Sequence, residues 1–586
     1  MSDTSYTLLD RHFADFLTRL AGRHDEELSM AARLVSHKTC QGHICLDLEE
    51  YAGRKVEIDG RMMLFPALDP WQESLAVSPV VGSPGEFFPL ILDPPLLYLQ
   101  RYWKYEKIVA EFIRERSGIR LDLLDRERLR DGLNRLFPKE SKGVDWQKVA
   151  AVAALSNRFC VISGGPGTGK TTTVAGILAL YIEQGGANVL LAAPTGKAAA
   201  RLRQAISGVK KNLACDGAVR DKIPEQAVTV HRLLGWGRQG FRYHGDNPLA
   251  ADFVVIDEAS MVDLPLMAAL MVAMPKGCRL LLLGDRNQLS SVQPGAVLGD
   301  ICHGGASGFS PDFVKLCSDF GCKLRLSPTS GPGHQDGIVE LSKSYRFVPD
   351  SGIHRLSCAV NQGEADLALD ILADEKGGDI SWRDYESSSV SLESVLSDYV
   401  HYFRELALVS EPEQALEMMG RFAILSGLRK GPFGSQNINQ LVRHHLQGLD
   451  QEGFFHGRPV MVSRNDYTKQ LYNGDTGICL RDRENDGQLR VFFADGDSIR
   501  KMLPLRVPTH ETVFAMTVHK SQGSEFDHLL LVLPDRSSKV LSRELLYTAV
   551  TRARKSVKII GSREVFRQAV NKRIERKSGL VKRLRK

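Results

Sequence analysis

The sequence predicts an α/β protein with two blocks of parallel sheet covered by helices. Three observations predict it. From about residue 143, short apolar runs alternate with helical stretches: Phe159–Ser163, Asn188–Ala193, Phe253–Asp257 and Arg279–Gly284. The alternation resumes at Phe422–Ser426, His528–Pro534 and Val557–Gly561. Runs that are apolar throughout, rather than at alternate positions, suit strands buried on both faces. Between these later runs, residues about 455 to 510 are short and strand-like, with turn signals at Asn473-Gly474-Asp475 and Asp495-Gly496-Asp497. They predict a small all-β insertion of barrel type.

Taken in order, residues 1 to about 110 mix helical and short strand patterns. The apolar, aromatic segment Phe87 to Trp103 suits either a small core or a surface for another subunit. Leu121 to Phe137 is charged and helical in pattern, and residues 303 to 337, rich in Gly, Ser and Pro, read as a loop or linker. The expected division is an N-terminal subunit-interaction domain over 1–115, a first α/β domain over 116–335 and a second over 336–586. The second carries the insertion at about 450–510 and a basic C-terminal tail at 555–586.

The 586 residues are enough for about four domains. Hydrophobic residues at 43% and charged residues at 25% exclude a mostly disordered, collagen-like or coiled-coil chain. No apolar run approaches the roughly 18 residues a bilayer requires; the longest candidate, Met261 to Pro275, is broken by Asp263 and Pro265. The first residues include Asp3 and Asp10 without a basic start, unlike a secretory signal. Ten cysteines are scattered, and neither C-x4-C pair (Cys40/Cys45, Cys317/Cys322) is followed by further ligands at zinc spacing. Together these features read as a reduced cytoplasmic protein. The net charge is +6, but the last 32 residues alone hold 12 Lys/Arg and two Glu, leaving −4 on the rest. Such a tail suits phosphate backbones, and equally a solvated helix face.

The chemistry-bearing motifs are sharper. Gly164 to Thr171, GGPGTGKT, fits G-x4-G-K-[ST] between a strand and a helix. Backbone N–H groups of Gly164, Gly165, Pro166 (which has none itself), Gly167, Thr168 and Gly169 form a loop that can close on phosphates. Lys170 reaches the β- and γ-phosphates, Thr171 offers a hydroxyl to Mg²⁺, and Thr172 continues into the helix. About 90 residues on, FVVIDEAS ends a strand in Asp257 and Glu258. Asp257 suits the metal, and Glu258 suits orienting and deprotonating a water. RLLLLGDRNQ ends another strand, with Gln288 placed to sense the γ-phosphate. Gln147 precedes the first strand, where an amide could read adenine; a surface glutamine is the other reading. The implied cofactors are ATP and Mg²⁺.

The motif order resembles superfamily 1 DNA helicases, and within them the RecD family, the alpha subunits of exodeoxyribonuclease V. The resemblance rests on GGPGTGKTTT at 164–173, APTGKAAARL at 193–202, TVHRLLG at 229–235, VIDEASMVD at 255–263 and LLGDRNQLSSVQPGAVLGD at 282–300. It continues with LSKSYRF at 341–347, GRPVMVSRNDYTKQLYNGDTG at 457–477, AMTVHKSQGSEF at 515–526 and LLYTAVTRAR at 545–554.

It implies two RecA-like P-loop NTPase domains, with an SH3-like β insertion in the second that includes Asn465, Asp466 and Tyr467. Arg346 and Arg552 match arginines that would reach the γ-phosphate from the second domain. Thr195, Lys197 and His231, and Thr517, His519, Lys520 and Ser521, match strand-binding motifs. The activity implied is ATP-dependent 5′-to-3′ DNA translocation and unwinding. The partners implied are single-stranded and end-bearing double-stranded DNA, with RecB-like and RecC-like subunits in a heterotrimer. The setting is double-strand-break repair, with the nuclease centre in another subunit and none expected here. A stand-alone RecD-like helicase remains an alternative, although only about 140 residues precede the motifs. A relaxase-related helicase, a non-catalytic scaffold with a motor fold and a bare ATPase switch are further alternatives. No relaxase His cluster with an upstream Tyr is evident, intact Lys170, Asp257, Glu258, Gln288, Arg346 and Arg552 argue against the scaffold, and the APTGKA and TVHKSQG matches argue against the bare switch.

Overall fold

The computed structural model describes residues 5–22, 25–118, 125–138, 143–303, 308–324, 333–348, 350–374, 378–385, 391–446, 453–466, 468–495 and 498–585. Tyr467, Gly496 and Asp497, and residues 121–124 of the charged segment, lie outside them.

The N-terminal region holds six short strands: β1 Cys45–Asp47, β2 Lys55–Ile58, β3 Arg61–Leu64, β4 Val81–Gly82, β5 Leu90–Asp93 and β6 Leu96–Leu99. β1, β6, β5 and β4 form one sheet in that order, and β2 and β3 form a hairpin. The helices Leu8–Leu20 and Glu26–Cys40 pack with them around buried Trp71, Phe65 and Leu28.

The next eight strands are β7 Phe159–Gly164, β8 Val189–Ala193, β9 Ala227–Thr229, β10 Trp236–Gly237, β11 Gly240–Phe241, β12 Phe253–Ile256, β13 Arg279–Gly284 and β14 Ile338–Leu341. Six of them form a sheet in the order β14-β7-β13-β12-β8-β9, parallel at every pairing, and β10 and β11 make a separate hairpin. Every residue of β7, β12 and β13 is buried, which is why these segments read as unbroken apolar runs. The helices Trp146–Ser156 and Lys170–Glu183 cover one face with Val149, Val152, Ile177 and Leu180. The helix Leu264–Ala273 covers the other and shares its core with the helix Gln100–Arg116.

The last ten strands are β15 Ile380–Asp384, β16 Phe422–Ser426, β17 Arg458–Val462, β18 Thr476–Asp482, β19 Gln488–Asp495, β20 Ser498–Met502, β21 His510–Thr512, β22 Ala515–Thr517, β23 Phe526–Val532 and β24 Ala553–Gly561. A second parallel sheet runs β15-β24-β23-β16-β22. Between β16 and β22 the chain departs to form a five-stranded antiparallel sheet, β20-β19-β18-β17-β21. The two parallel sheets and the β insertion therefore follow the sequence pattern.

Four expectations need correction. β14 pairs with β7, so the first sheet extends past residue 335 and ends at Leu341. The supposed linker at 303–337 contains a helix, Pro311–Asp319; Ser310 caps it, Pro311 starts it, and Phe313 is fully buried. The helix Gln100–Arg116 belongs to the first sheet's packing as much as to the N-terminal region, because Val109 and Ile113 lie in the same core as Leu270. The basic segment 555–586 is not a loose tail. Its first residues are in β24, and its end folds back on the N-terminal region.

That return is a strap. Lys577 N–H donates to His43 Nδ1 at 3.0 Å, and the Lys577 carbonyl accepts from Ile44 N–H at 2.9 Å. Arg576 Nη1 donates to the carbonyls of Gln293 and Gly295 at 2.8 and 2.7 Å. Leu580 and Leu584, from the final helix Leu580–Arg585, complete the core beside Tyr98 and Tyr102. Arg583 pairs with Glu106 at 3.1 Å and Asp93 at 2.7 Å.

Candidate nucleotide and nucleic-acid sites

The strand β7 ends at Gly164, and the helix Lys170–Glu183 begins six residues later. The loop between them needs its glycines. Gly167 and Gly169 have φ of +77° and +80°, conformations that side-chain-bearing residues resist. A Cβ on Gly167 would lie 2.3 Å from the Arg346 Cβ, and one on Gly169 would lie 2.3 Å from Gln147 Nε2. The Thr168 hydroxyl donates to the Gly165 carbonyl at 2.9 Å, and Gln147 Nε2 donates to the Thr168 carbonyl at 3.3 Å. Lys170 Nζ reaches back to the carbonyls of Gly164 and Gly165 at 2.6 and 3.0 Å. Burial lowers its pKa, opposed by the charges of Asp285, Glu258 and Asp257.

These acids come from neighbouring strand ends, β12 and β13, as parallel pairing requires. Glu258 N–H donates to the Asp257 carboxylate at 2.9 Å, and Glu258 sits at φ +51°, a left-handed position rare outside glycine. Burial, and then the Glu258 charge, pushes the Asp257 carboxyl up to about 6. Asp285, 2% exposed, accepts from Gln288 Nε2 at 3.1 Å and from the Tyr547 hydroxyl at 3.0 Å. Burial raises its pKa too.

Tyr547 lies on the helix Arg543–Val550 against the second sheet, so the Asp285 bond crosses between sheets. Two further bonds cross with it. Leu289 N–H donates to Thr548 Oγ1 at 3.0 Å, and Gln522 Nε2 donates to the Leu289 carbonyl at 3.0 Å. Arg552, 1% exposed, donates to the carbonyls of Thr548 at 3.2 Å and Ser524 at 3.3 Å. Arg346 donates through Nη2 to Glu525 at 2.7 Å. Its other nitrogen, Nη1, is buried with no partner among the described residues. Burial and the nearby cations Arg201, Arg552 and Arg554 pull the Arg346 pKa down to about 9. The strand before Arg346 is β14, and Tyr345 N–H donates to the Gly167 carbonyl at 2.8 Å. Arg346 thus stands at the link between the two sheets, not within the second as expected.

A cavity of about 350 Å³ lies between these groups, lined among others by Lys170, Thr171, Asp257, Gln288, Arg346 and Arg552. Pro166, Thr168 and Thr172 line it as well. Gln147 does not line it; it packs against the loop from outside. An unpaired buried guanidinium nitrogen, a lysine parked on loop carbonyls and two crowded carboxylates fit a triphosphate with a divalent cation. Among the described residues no group of three or more His, Cys, Asp or Glu could hold a metal. A cation held by Thr171, Asp257 and substrate phosphates needs no such cage.

The residues expected at the strand-binding face are more varied. Thr195 lies just past β8 and Thr517 ends β22, and each caps a helix, its hydroxyl oxygen accepting from Ala198 or Lys520 N–H; Thr229, not singled out in the sequence, ends β9 and caps the next helix in the same way through Arg232 N–H. Each hydroxyl keeps a proton to donate. Lys197 faces Asp475 of the insertion, and burial lowers its pKa to about 8. His231 packs beside Trp236 and Phe241 at ring distances of 6.3 and 6.1 Å. His519 is half-buried near Arg576 of the strap, and its pKa is lowered by burial. Lys520 pairs with Glu511. Ser521 is fully buried, its hydroxyl donating to the Val518 carbonyl at 2.7 Å.

Sequence reasoning did not single out Arg201, Glu525 and Tyr547, although the quoted motifs contain them. Glu525, 5% exposed at its side chain, holds Arg346, Arg201 and, at 3.2 Å, Arg554. Only the fold brings residues 324 positions apart onto one carboxylate.

The sequence matches known families along most of its length. Residues 5–98 match the family model for the RecBCD enzyme subunit RecD, N-terminal domain. Residues 147–294 match an AAA domain, and residues 512–560 a UvrD-like helicase C-terminal domain. The RecBCD enzyme subunit RecD of Mycolicibacterium smegmatis is 37% identical, over 98% of this chain and 97% of that protein. The chain belongs to the RecD family. The RecD subunit of Haemophilus influenzae is 31% identical over 94% of this chain and 92% of its own length. The ATP-dependent RecD2 DNA helicase of Deinococcus radiodurans is 30% identical, but only 53% of its length is matched. The chain is accordingly an ATP-dependent helicase of the RecD type with a nucleotide-binding P-loop domain.

Proposed function

We propose that ATP and Mg²⁺ fill the cavity between the parallel sheets and that the chain works as a 5′-to-3′ motor in a heterotrimer with RecB- and RecC-like subunits. The carrying observation is Arg346 Nη1, a buried donor without a partner, beside a cavity that Lys170 and Arg552 also line. A buried guanidinium nitrogen left unpaired is costly, and a phosphate oxygen is its natural acceptor.

Lys170 leaves its loop carbonyls to meet the β- and γ-phosphates. Thr171 and Asp257 would hold Mg²⁺, which when bound would neutralise phosphate charge. Glu258 accepts a proton from the attacking water, and Gln288 reports the γ-phosphate to Asp285 and Tyr547. Arg346 and Arg552 stabilise the charge of the transferring group. Because Arg552 and Tyr547 belong to the domain of the second sheet, hydrolysis and cleft opening are coupled. In this reading the sheets are two RecA-like domains, the first bounded near residue 341, and the antiparallel sheet is an SH3-like insertion. The strand-binding residues are Thr195, Lys197, His231, Thr517, His519 and Lys520. The buried Ser521 positions their loop. Gln147 braces the loop and takes the adenine edge. The setting is cytoplasmic.

The test is ATP hydrolysis by the purified chain, with and without single-stranded DNA, beside strand separation on 5′- and 3′-tailed duplexes. DNA-stimulated hydrolysis with unwinding from the 5′ tail is expected, and Lys170→Gln should abolish both while leaving the circular dichroism spectrum unchanged. Unwinding from the 3′ tail would overturn the polarity. Wild-type turnover in Lys170→Gln would overturn the phosphate assignment.

A further inference from the structure

The hairpin β10–β11 projects Trp236, which is 54% exposed although it is one of the chain's five tryptophans. One side of the indole is held. Phe241 packs on it at 4.7 Å between ring centroids, and His231 meets it edge-on at 6.3 Å. The indole also lines a cavity of about 210 Å³ with His231, Arg232, Gly235, Gln470 and Tyr472. Trp236 and the first three of these come from the first parallel domain, and the last two from the β insertion between β17 and β18.

Tyr472 is as firmly placed as Trp236. Its ring lies on Gly196, where a Cβ would come within 2.7 Å of it, so only glycine admits the contact. Its N–H donates to the Asp475 carboxylate at 2.7 Å, and its hydroxyl accepts from Arg232 Nη1 at 3.5 Å. Gln470 is held in a left-handed conformation, φ +51°, and Arg500 donates to its carbonyl at 3.3 Å. Strain of this kind costs energy and persists where the surroundings enforce it, commonly at ligand sites. A second cavity, of about 160 Å³, shares Arg232, Gln470 and Tyr472 and continues past Thr229, Arg203 and Arg500.

We infer that the slot between Trp236 and Tyr472 takes a single unstacked nucleobase of a DNA strand, with its sugar-phosphate lying along the second cavity toward Arg203 and Arg232, on the side away from the Arg500–Asp495 pair. Two aromatic side chains lining one cavity suit the π-face of any base. The arginines suit phosphate, and the amide of Gln470 can meet a base edge. The walls come from different domains, so movement of the insertion relative to the first sheet opens and shuts the slot. The inference rests on the proposed strand-binding function and adds a base-gripping site to it.

The test uses the full chain and two fluorescent single strands of equal length, oligothymidylate and its abasic counterpart. Trp236→Ala should bind oligothymidylate about 10-fold more weakly, the scale of one base–aromatic stack. Trp236→Phe should restore most of the affinity, and Tyr472→Ala should lose a similar amount. On the abasic strand, wild type and Trp236→Ala should bind alike. Unchanged binding of oligothymidylate by both alanine variants would overturn the slot while leaving the strand-binding function standing. An equal loss on the abasic strand would overturn it too, because it would make Trp236 a support for backbone contacts. Failure of the wild-type chain to bind either strand would instead overturn the function on which the slot rests.

Discussion

The Tyr547 hydroxyl donates to the Asp285 carboxylate at 3.0 Å, joining the second sheet's domain to the end of β13 beside the P-loop. Both groups are buried, and Gln288 shares the same carboxylate oxygen. Tyr547→Phe removes the donor and leaves Asp285 with Gln288 and the Asn287 N–H. A buried hydrogen bond to a charged group contributes about 1.5–3 kcal/mol. The denaturant midpoint should fall accordingly, and DNA-stimulated hydrolysis should fall more than nucleotide affinity. Loss of affinity alone would show that Tyr547 serves the pocket and not the coupling between domains.

Arg346→Ala should retain nucleotide binding and slow hydrolysis by about 10³-fold or more, the scale of an arginine finger. Arg346→Lys should not rescue it. Nη2 is committed to Glu525 while Nη1 is spare, and an ammonium cannot serve both directions with that planar fork. Single-turnover hydrolysis, beside equilibrium binding of a fluorescent nucleotide, separates the two effects.

Asp257 makes the site pH-sensitive. Its folded carboxyl is raised to about 6 from 3.8, so between those values the folded chain holds a proton that the unfolded chain has lost. Stability of the nucleotide-free chain from this group therefore increases as pH falls through 6, and the gain saturates near 3.8. Mg²⁺ needs the ionised carboxylate, so Mg²⁺-dependent nucleotide binding should weaken over the same descent. In Asp257→Asn both slopes should flatten. Binding titrations and denaturant midpoints at several pH values between 5 and 8 would read them; a binding slope that persists in Asp257→Asn would place the titrating group elsewhere.

Arg583 neutralises Glu106, which is fully buried and also accepts from the Tyr98 hydroxyl and the Gly579 N–H. Arg583→Ala leaves that carboxylate without its cation and should cost about 3–5 kcal/mol. Burial already raises the Glu106 pKa. Protonation should therefore soften the loss at lower pH, and the midpoint shift should be smaller at pH 5 than at pH 8. A pH-independent shift would mean that lost packing, not the uncovered charge, dominates.

The parallel strands were legible because burial on both faces leaves an unbroken apolar run, as in β7, β12, β13 and β16. The P-loop was legible because its glycines, lysine and threonine are local in sequence. β14 was not: four residues, Ile338–Leu341, after a Gly- and Pro-rich stretch carry too little pattern to announce a sheet partner. The helix Pro311–Asp319 was hidden for the same reason, its caps resembling turn residues. The charge of the C-terminal segment misled because a count of lysines and arginines does not reveal partners. Glu106, Asp93 and Glu50 are hundreds of positions away.

The sequence by itself determined the fold class, the nucleotide-binding loop, the carboxylate pair and the order of motifs that marks the family. Each depends on neighbours within a few residues, where backbone geometry links spacing directly to position. Only the tertiary structure decided where Arg346 stands, which carboxylate gathers Arg201 with it, that Trp236 and Tyr472 share one slot, and that the chain's end ties back to its beginning. Those relations join residues distant in the chain. They follow from how buried faces pack and where buried charges find partners, and neither quantity is written in any local stretch of residues.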